Sequence, residues 1–375
     1  MATASTKSRG NKQKGRQTTA AEGNETASGV VPPQAGEGGE LSRRAWLIAC
    51  AAVMLVAALV RLYQLELRPM HHDEGVNGFF LNNLIRTGVF RYDPTNYHGP
   101  TLYYLTLPLA VAAERFDIYG TWTVRLLPLI FGLAAVWLTL GLRRYIGSVG
   151  ALAAGALLAL SPGFVFFSRY YIHEMMFVFF TLGLVVALLR FYEHDAAEAG
   201  APTDAPPDAR LGFASVGAAL LLVAASLGAT YSPGFYPYAL ALILFSAGLL
   251  LALLRRYDGP RSIYLVLAAV SAGLLFATKE TAFISVGVLL IAWPMAWGYA
   301  SLAARRGGFG GRGSAHGKRA SGGQGGRGRA GVASSETRGL VGRLGGWTRI
   351  LILSAAALGL FLFINILFYS SFFTN

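Results

Sequence analysis

The chain is nearly devoid of cysteine and poor in charge. Its 375 residues include one cysteine, Cys50, so no disulfide framework can exist within it. Charged residues amount to 14% and the apolar set to 54%, proportions that exclude an ordinary soluble domain. A Walker-type glycine loop and a dinucleotide fingerprint are both missing, which leaves a nucleotide-driven pump without support. The glycines of 307–328 lack the strand and helix that would make a phosphate cradle. A cleavable leader is excluded by position. Leu47-Ile48-Ala49-Cys50 has the look of a lipoprotein box and Arg43-Arg44 that of a twin-arginine signal, but the apolar run continues beyond Cys50 to Val60. The run therefore reads as an uncleaved signal anchor.

What the chain has is long apolar runs. They predict an all-α polytopic membrane protein of about nine spanning helices, roughly at 46–63, 121–141, 149–167, 175–192, 211–230, 236–254, 262–277, 281–300 and 350–369. The formal net charge of +13 is concentrated in two stretches without apolar content, 1–44 and 301–349. Both are expected to be disordered and cytoplasmic, and to serve topology and attraction to anionic headgroups, with no role in binding nucleic acid. Between them, 45–300 is expected to form the transmembrane catalytic module, and 350–375 to add a last spanning helix.

With the tail cytoplasmic, the connectors alternate in side and the Arg-rich ones fall on the cytoplasmic side of the cell membrane. The outer connectors then hold 71–120, 161–174, 231–235 and the Lys279-Glu280 corner. Within the first, 70–87 reads as an amphipathic helix with Val76, Phe79, Phe80, Leu84 and Ile85 on its apolar face, and Gly88 as its stop. Residues 101–113 are apolar but too short to span and contain Pro108. Both helices are expected in the interface plane, holding Asp73 and His98 over the mouth of the bundle.

The residues able to carry chemistry all fall on that outer face. They are Asp73, Glu74, Tyr97, His98, Arg169, Tyr170, Tyr171, His173, Glu174, Lys279 and Glu280. Acids, histidines and cations are what group transfer from a phosphate leaving group requires: an acid takes the proton of an incoming hydroxyl and cations stabilise the departing phosphate. Tyr170 and Tyr171 also fit an aromatic belt, and Arg169 and Lys279 fit headgroup-level snorkelling. His173-Glu174-Met175-Met176-Phe177 begins like a zinc-protease helix but has Phe where the second histidine belongs. His71, His72, Asp73, His98, His173 and Glu174 leave a divalent metal ion open as an option, and no cofactor is otherwise expected.

A first helix followed by the acid pair Asp73-Glu74 in a long outer loop resembles the GT-C membrane glycosyltransferases, among them protein O-mannosyltransferases and aminoarabinose transferases. His98-Gly99-Pro100-Thr101-Leu102-Tyr103-Tyr104 is similar to that superfamily's Lys-Pro-Pro motif before an aromatic helix, with His98 in place of lysine. Glu174-Met175-Met176 resembles its second outer acid, and Thr278-Lys279 its later basic corner. More narrowly, Asp73-Glu74, the stretch from Thr87-Gly88 to Asp93-Pro94, His98-Gly99-Pro100 and Lys279-Glu280 resemble the flippase-activity-associated membrane proteins. The resemblance spans 46–300.

It implies transfer of a sugar from a polyprenyl-phosphate lipid to an acceptor glycan, lipid or protein at the extracytoplasmic face. Asp73 would be the general base; Glu74 and Glu174 would orient the acceptor or an optional divalent ion. Arg169, Lys279 and His98 would receive the phosphate, with Tyr97, Tyr170, His173 and Glu280 in the substrate site. The rival expectation is a lipid-linked-sugar flippase or its accessory, and a third is a scaffold. Because such proteins usually continue into a soluble outer domain, the chain is also expected to be a piece of a longer one.

Overall fold

The computed structural model describes residues 40–93, 98–198, 208–231, 236–307 and 346–373. The two basic stretches expected to be disordered lie almost wholly outside them. Twelve helices make up the described residues: α1 Arg43–Leu62, α2 His72–Thr87, α3 Thr101–Arg115, α4 Thr121–Leu140, α5 Arg143–Leu160, α6 Pro162–Ser168, α7 Glu174–Glu198, α8 Ala209–Tyr231, α9 Tyr236–Asp258, α10 Ser262–Thr278, α11 Ala282–Gly307 and α12 Trp347–Tyr369.

Six described stretches are long and apolar enough to cross a membrane, and seven if α5 and α6, bent by 62°, count as one. This is consistent with a multi-pass membrane protein and falls short of the nine expected. Two features account for the difference. Tyr238–Thr278 is a single 41-residue stretch that includes most of α9 and all of α10. At 1.5 Å per residue it is roughly 60 Å long, about twice a hydrocarbon core. It is interrupted by a 3-10 turn, Gly259–Arg261, whose first residue adopts φ 72°. That left-handed backbone suits glycine. In α11 the qualifying apolar part, Ala282–Ala296, is shorter than a span.

Helix ends meet at two levels. At one, Arg143 pairs with Glu40 at 2.6 Å and the Tyr145 hydroxyl donates to Glu193 at 3.0 Å. Also there, Asp258 is buried between Arg261 and Arg349, at 2.9 and 2.8 Å, which joins the α9–α10 turn to the start of α12. At the other level the ends of α1, α6, α10 and α12 gather around α2, α3 and the starts of α4, α7 and α11. Here the Phe90 N–H donates to the Ser371 hydroxyl at 2.8 Å, just past α12.

The buried face of α2 overlaps the expected one in part: Leu84 is buried and Phe80 and Ile85 pack against the same core. Glu74, Asn77, Leu81 and Leu84 point inward, whereas Phe79 is 64% exposed and Val76 is also exposed. The apolar pattern alone put Val76 and Phe79 on the wrong side, because the polar Glu74 and Asn77 have partners in the core. α3 is likewise docked, with Leu102, Tyr103, Thr106 and Ala110 buried. The Lys279-Glu280 corner needs no Gly or Pro. Lys279 is extended, and the Ala282 N–H closes the turn on the Lys279 carbonyl at 3.1 Å.

Candidate functional site

Glu74 is the third residue of α2 and is fully buried. A carboxylate there is tolerated only if its lone pairs are met, and four N–H groups meet them. Arg125 of α4 donates from Nε to Oε1 at 2.8 Å and from Nη2 to Oε2 at 2.7 Å. The backbone N–H of Tyr171 reaches Oε1 at 2.9 Å, and that of His71 reaches Oε2 at 3.1 Å. Burial pushes the Glu74 carboxyl up, but the Arg125 bonds and the two backbone donors outweigh it and hold the group below its ordinary value. Arg125 also donates to the carbonyls of Leu65, Arg68 and Pro69. One ion pair thus ties α4 to the segment before α2 and to the α6–α7 connector.

A turn further along α2, the Asn77 amide donates to the Tyr171 carbonyl at 3.0 Å and accepts from the Tyr103 hydroxyl at 2.9 Å. Glu74, expected to orient an acceptor beside Asp73, is instead sealed and saturated. Its neighbour is not. The Asp73 side chain is 61% exposed, in the first turn of α2 where the helix dipole favours an anion, and lies 3.9 Å from His71 Nδ1.

Tyr170 stands beside this turn, stacked on Phe166 at 5.2 Å and facing the His71 ring at 5.5 Å. Burial raises its hydroxyl pKa first, and the negative charges of Asp73, Glu74 and Glu174 add to that. An open groove of about 580 Å³ runs along the exposed side of α2, lined by His71, His72, Val76 and Phe79 among others.

The second group assembles where 98–100 meets the α10–α11 corner. His98 and Lys279 form an isolated antiparallel bridge, and the Gly99 N–H donates to the Thr278 carbonyl at 3.1 Å. Glycine is required at 99, because a Cβ there would collide with the Ala277 carbonyl. The Lys279 ammonium crosses to Glu174 at 2.9 Å, both side chains being partly exposed. His173 is 1% exposed, its Nε2 lies 3.1 Å from the Gly99 carbonyl oxygen, and its ring centre lies 4.7 Å from that of His98. Burial, then the His98 and Lys279 charges, push its imidazole down to about 3.

Other expected members stand apart. Arg169 donates to the carbonyls of Tyr63 and Gln64 at 2.7 and 2.8 Å, so it caps the end of α1. Tyr171 is a core residue rather than a belt anchor. Glu280 accepts from the Tyr92 hydroxyl at 3.0 Å, next to Tyr369 of α12. Tyr97 lies outside the described residues. Among the described residues no three His, Cys, Asp or Glu side chains gather as a metal site, so the six candidate ligands are not brought together.

Two arginines were missed from the sequence. Arg125 anchors Glu74, and the fully buried Arg61 donates to the Ala57, Leu158 and Ala159 carbonyls, holding the α5–α6 bend. The signal was present. A lone arginine in an apolar helix must find a partner if it is buried. Comparison of this chain with protein-family models, with curated proteins and with solved structures finds no match.

Proposed function

We propose that the chain is the membrane module of a glycosyltransferase that moves a sugar from a polyprenyl-phosphate lipid to an acceptor hydroxyl. In this reading the membrane is crossed nine times, with α9 and α10 as separate crossings and α11 as a short one, and the α2 end faces outward. The Arg-rich connectors at the opposite end support that orientation. The observation that carries the reading is the pairing of a sealed Glu74–Arg125 lock with an exposed Asp73 one residue away. A rigid turn presents a single carboxylate, while Lys279 supplies positive charge at the same level.

In the step itself, the acceptor oxygen forms a bond to the anomeric carbon as the bond from that carbon to the phosphate oxygen breaks. Asp73 takes the hydroxyl proton, and polyprenyl phosphate leaves with the bonding pair, its charge met by Lys279. A phosphate monoester leaves without a proton donor, so one acid suffices. Glu74 and Arg169 are positioning residues here, the first through Arg125 and the second through the end of α1.

The test is transfer from radiolabelled polyprenyl-phosphate hexoses by membranes containing the protein and its Asp73→Asn variant. Loss of a general base lowers rate by about 10² to 10⁴. Undiminished transfer by the variant would remove Asp73 from the reaction. Transfer from nucleotide sugars alone would exclude the lipid donor, and transport of the lipid without transfer would install the flippase reading.

A further inference from the structure

Two polar atoms of neighbouring residues, His173 Nδ1 and Glu174 Oε2, are buried with no hydrogen-bond partner among the described residues. Their chemistry is determined by the partners of the atoms beside them. His173 Nε2 lies 3.1 Å from the Gly99 carbonyl oxygen, which can only accept, so Nε2 carries the hydrogen. The imidazole, with its pKa at about 3, is neutral near pH 7, which leaves Nδ1 a bare lone pair. Glu174 Oε1 is taken by the Lys279 ammonium at 2.9 Å, and Oε2 offers lone pairs as well. Both open atoms are acceptors. A buried acceptor without a donor is costly, so the site calls for a donor group from outside the chain.

We infer that His173 Nδ1 and Glu174 Oε2 each accept from a hydroxyl of the sugar carried by the lipid donor, and so select the sugar rather than the phosphate. This deepens the transferase reading and rests on it for the identity of the ligand. An ionised phosphate carries acceptors only and would face two more acceptors. The remaining Lys279 N–H groups suit it instead, which separates sugar recognition from phosphate recognition within one corner of the bundle.

The decisive variant is His173→Gln. Its amide can keep the donation to the Gly99 carbonyl, but it offers nothing at the Nδ1 position. The protein in lipid nanodiscs is titrated with polyprenyl-phosphate glucose, mannose and galactose, and with bare polyprenyl phosphate. The expected result is about a tenfold loss of affinity for at least one sugar-bearing lipid and no change for the bare phosphate, in keeping with one lost hydrogen bond to a buried group. Equal weakening of both, or of neither, overturns the assignment.

A second measurement does not depend on the transferase reading or on the variant folding. In wild-type protein labelled with nitrogen-15 histidine, the His173 Nδ1 resonance is followed during addition of methyl glycosides and, separately, inorganic phosphate. A shift with a glycoside alone sustains the hydroxyl site even if no lipid-linked sugar binds, in which case it is the transferase reading that fails. A resonance that starts at its hydrogen-bonded position, as a bound water would set it, or that moves with phosphate, overturns the inference.

Discussion

Arg125 and Glu74 come from positions 51 residues apart and meet in a bidentate ion pair that is closed to solvent on both sides. Such a pair is poor at adding net stability, because both charges lose their hydration, yet removal of one partner strands the other. Arg125→Leu or Glu74→Leu alone should therefore cost about 3 to 5 kcal/mol. The double replacement should cost much less than the two single costs added together. Thermal unfolding of the four proteins in one detergent checks this. Purely additive losses would mean that the pair is not coupled.

Gly99 makes a prediction of the opposite kind, about backbone instead of charge. Any side chain at 99 collides with the Ala277 carbonyl, so Gly99→Ala must open the contact between 98–99 and 278–279. That displaces Lys279 relative to Glu174 and takes the carbonyl from His173. The expected outcome is a lower unfolding temperature together with loss of transfer. A variant with wild-type stability and activity would show that the bridge is dispensable.

The long helices were legible because spanning a membrane demands apolar length, and apolar length is visible in one dimension. The clustering of polar candidates at one level was legible for the same reason, since they sit in the connectors. The division of labour between Asp73 and Glu74 was not. Adjacent residues at a helix start point in different directions, and which one turns inward depends on Arg125, a residue that the sequence shows only as a lone charge in an apolar run. The buried face of α2 was read only in part for the same cause: the apolar pattern does not include Asn77, whose partners Tyr103 and the Tyr171 carbonyl lie in the core.

In the proposed orientation the two levels at which helix ends meet lie on opposite sides of the membrane. Asp117, exposed between α3 and α4, should lie outside the cell, and Ala209, exposed at the start of α8, inside. Single cysteines at these positions in a Cys50→Ala background should be distinguished by a membrane-impermeant thiol reagent on intact cells. Labelling at Asp117→Cys and protection at Ala209→Cys until lysis is the expected pattern. The reverse pattern would turn the whole site toward the cytoplasm, where a lipid donor presented outside could not reach it.

Acid should weaken the fold through two groups, and the sign is the same for both. His173 titrates near 6.5 when unfolded and at about 3 in the folded chain, so between those values the unfolded state binds more protons and stability falls as pH is lowered. Glu74, held below its ordinary value, adds a further loss as pH drops below about 4.3, the unfolded value, and through its folded one. Above about 6.5 neither group contributes a slope, since both states then hold the same protons. His173→Gln removes the first contribution and leaves the second. Unfolding temperatures measured from pH 8 to pH 4 should therefore decline for the wild type from about 6.5 downward. For the variant they should stay flatter until the carboxylate range is reached. Coincident profiles for the two proteins would mean that His173 is not buried in its neutral form, and the acceptor assigned to its Nδ1 would fail with it.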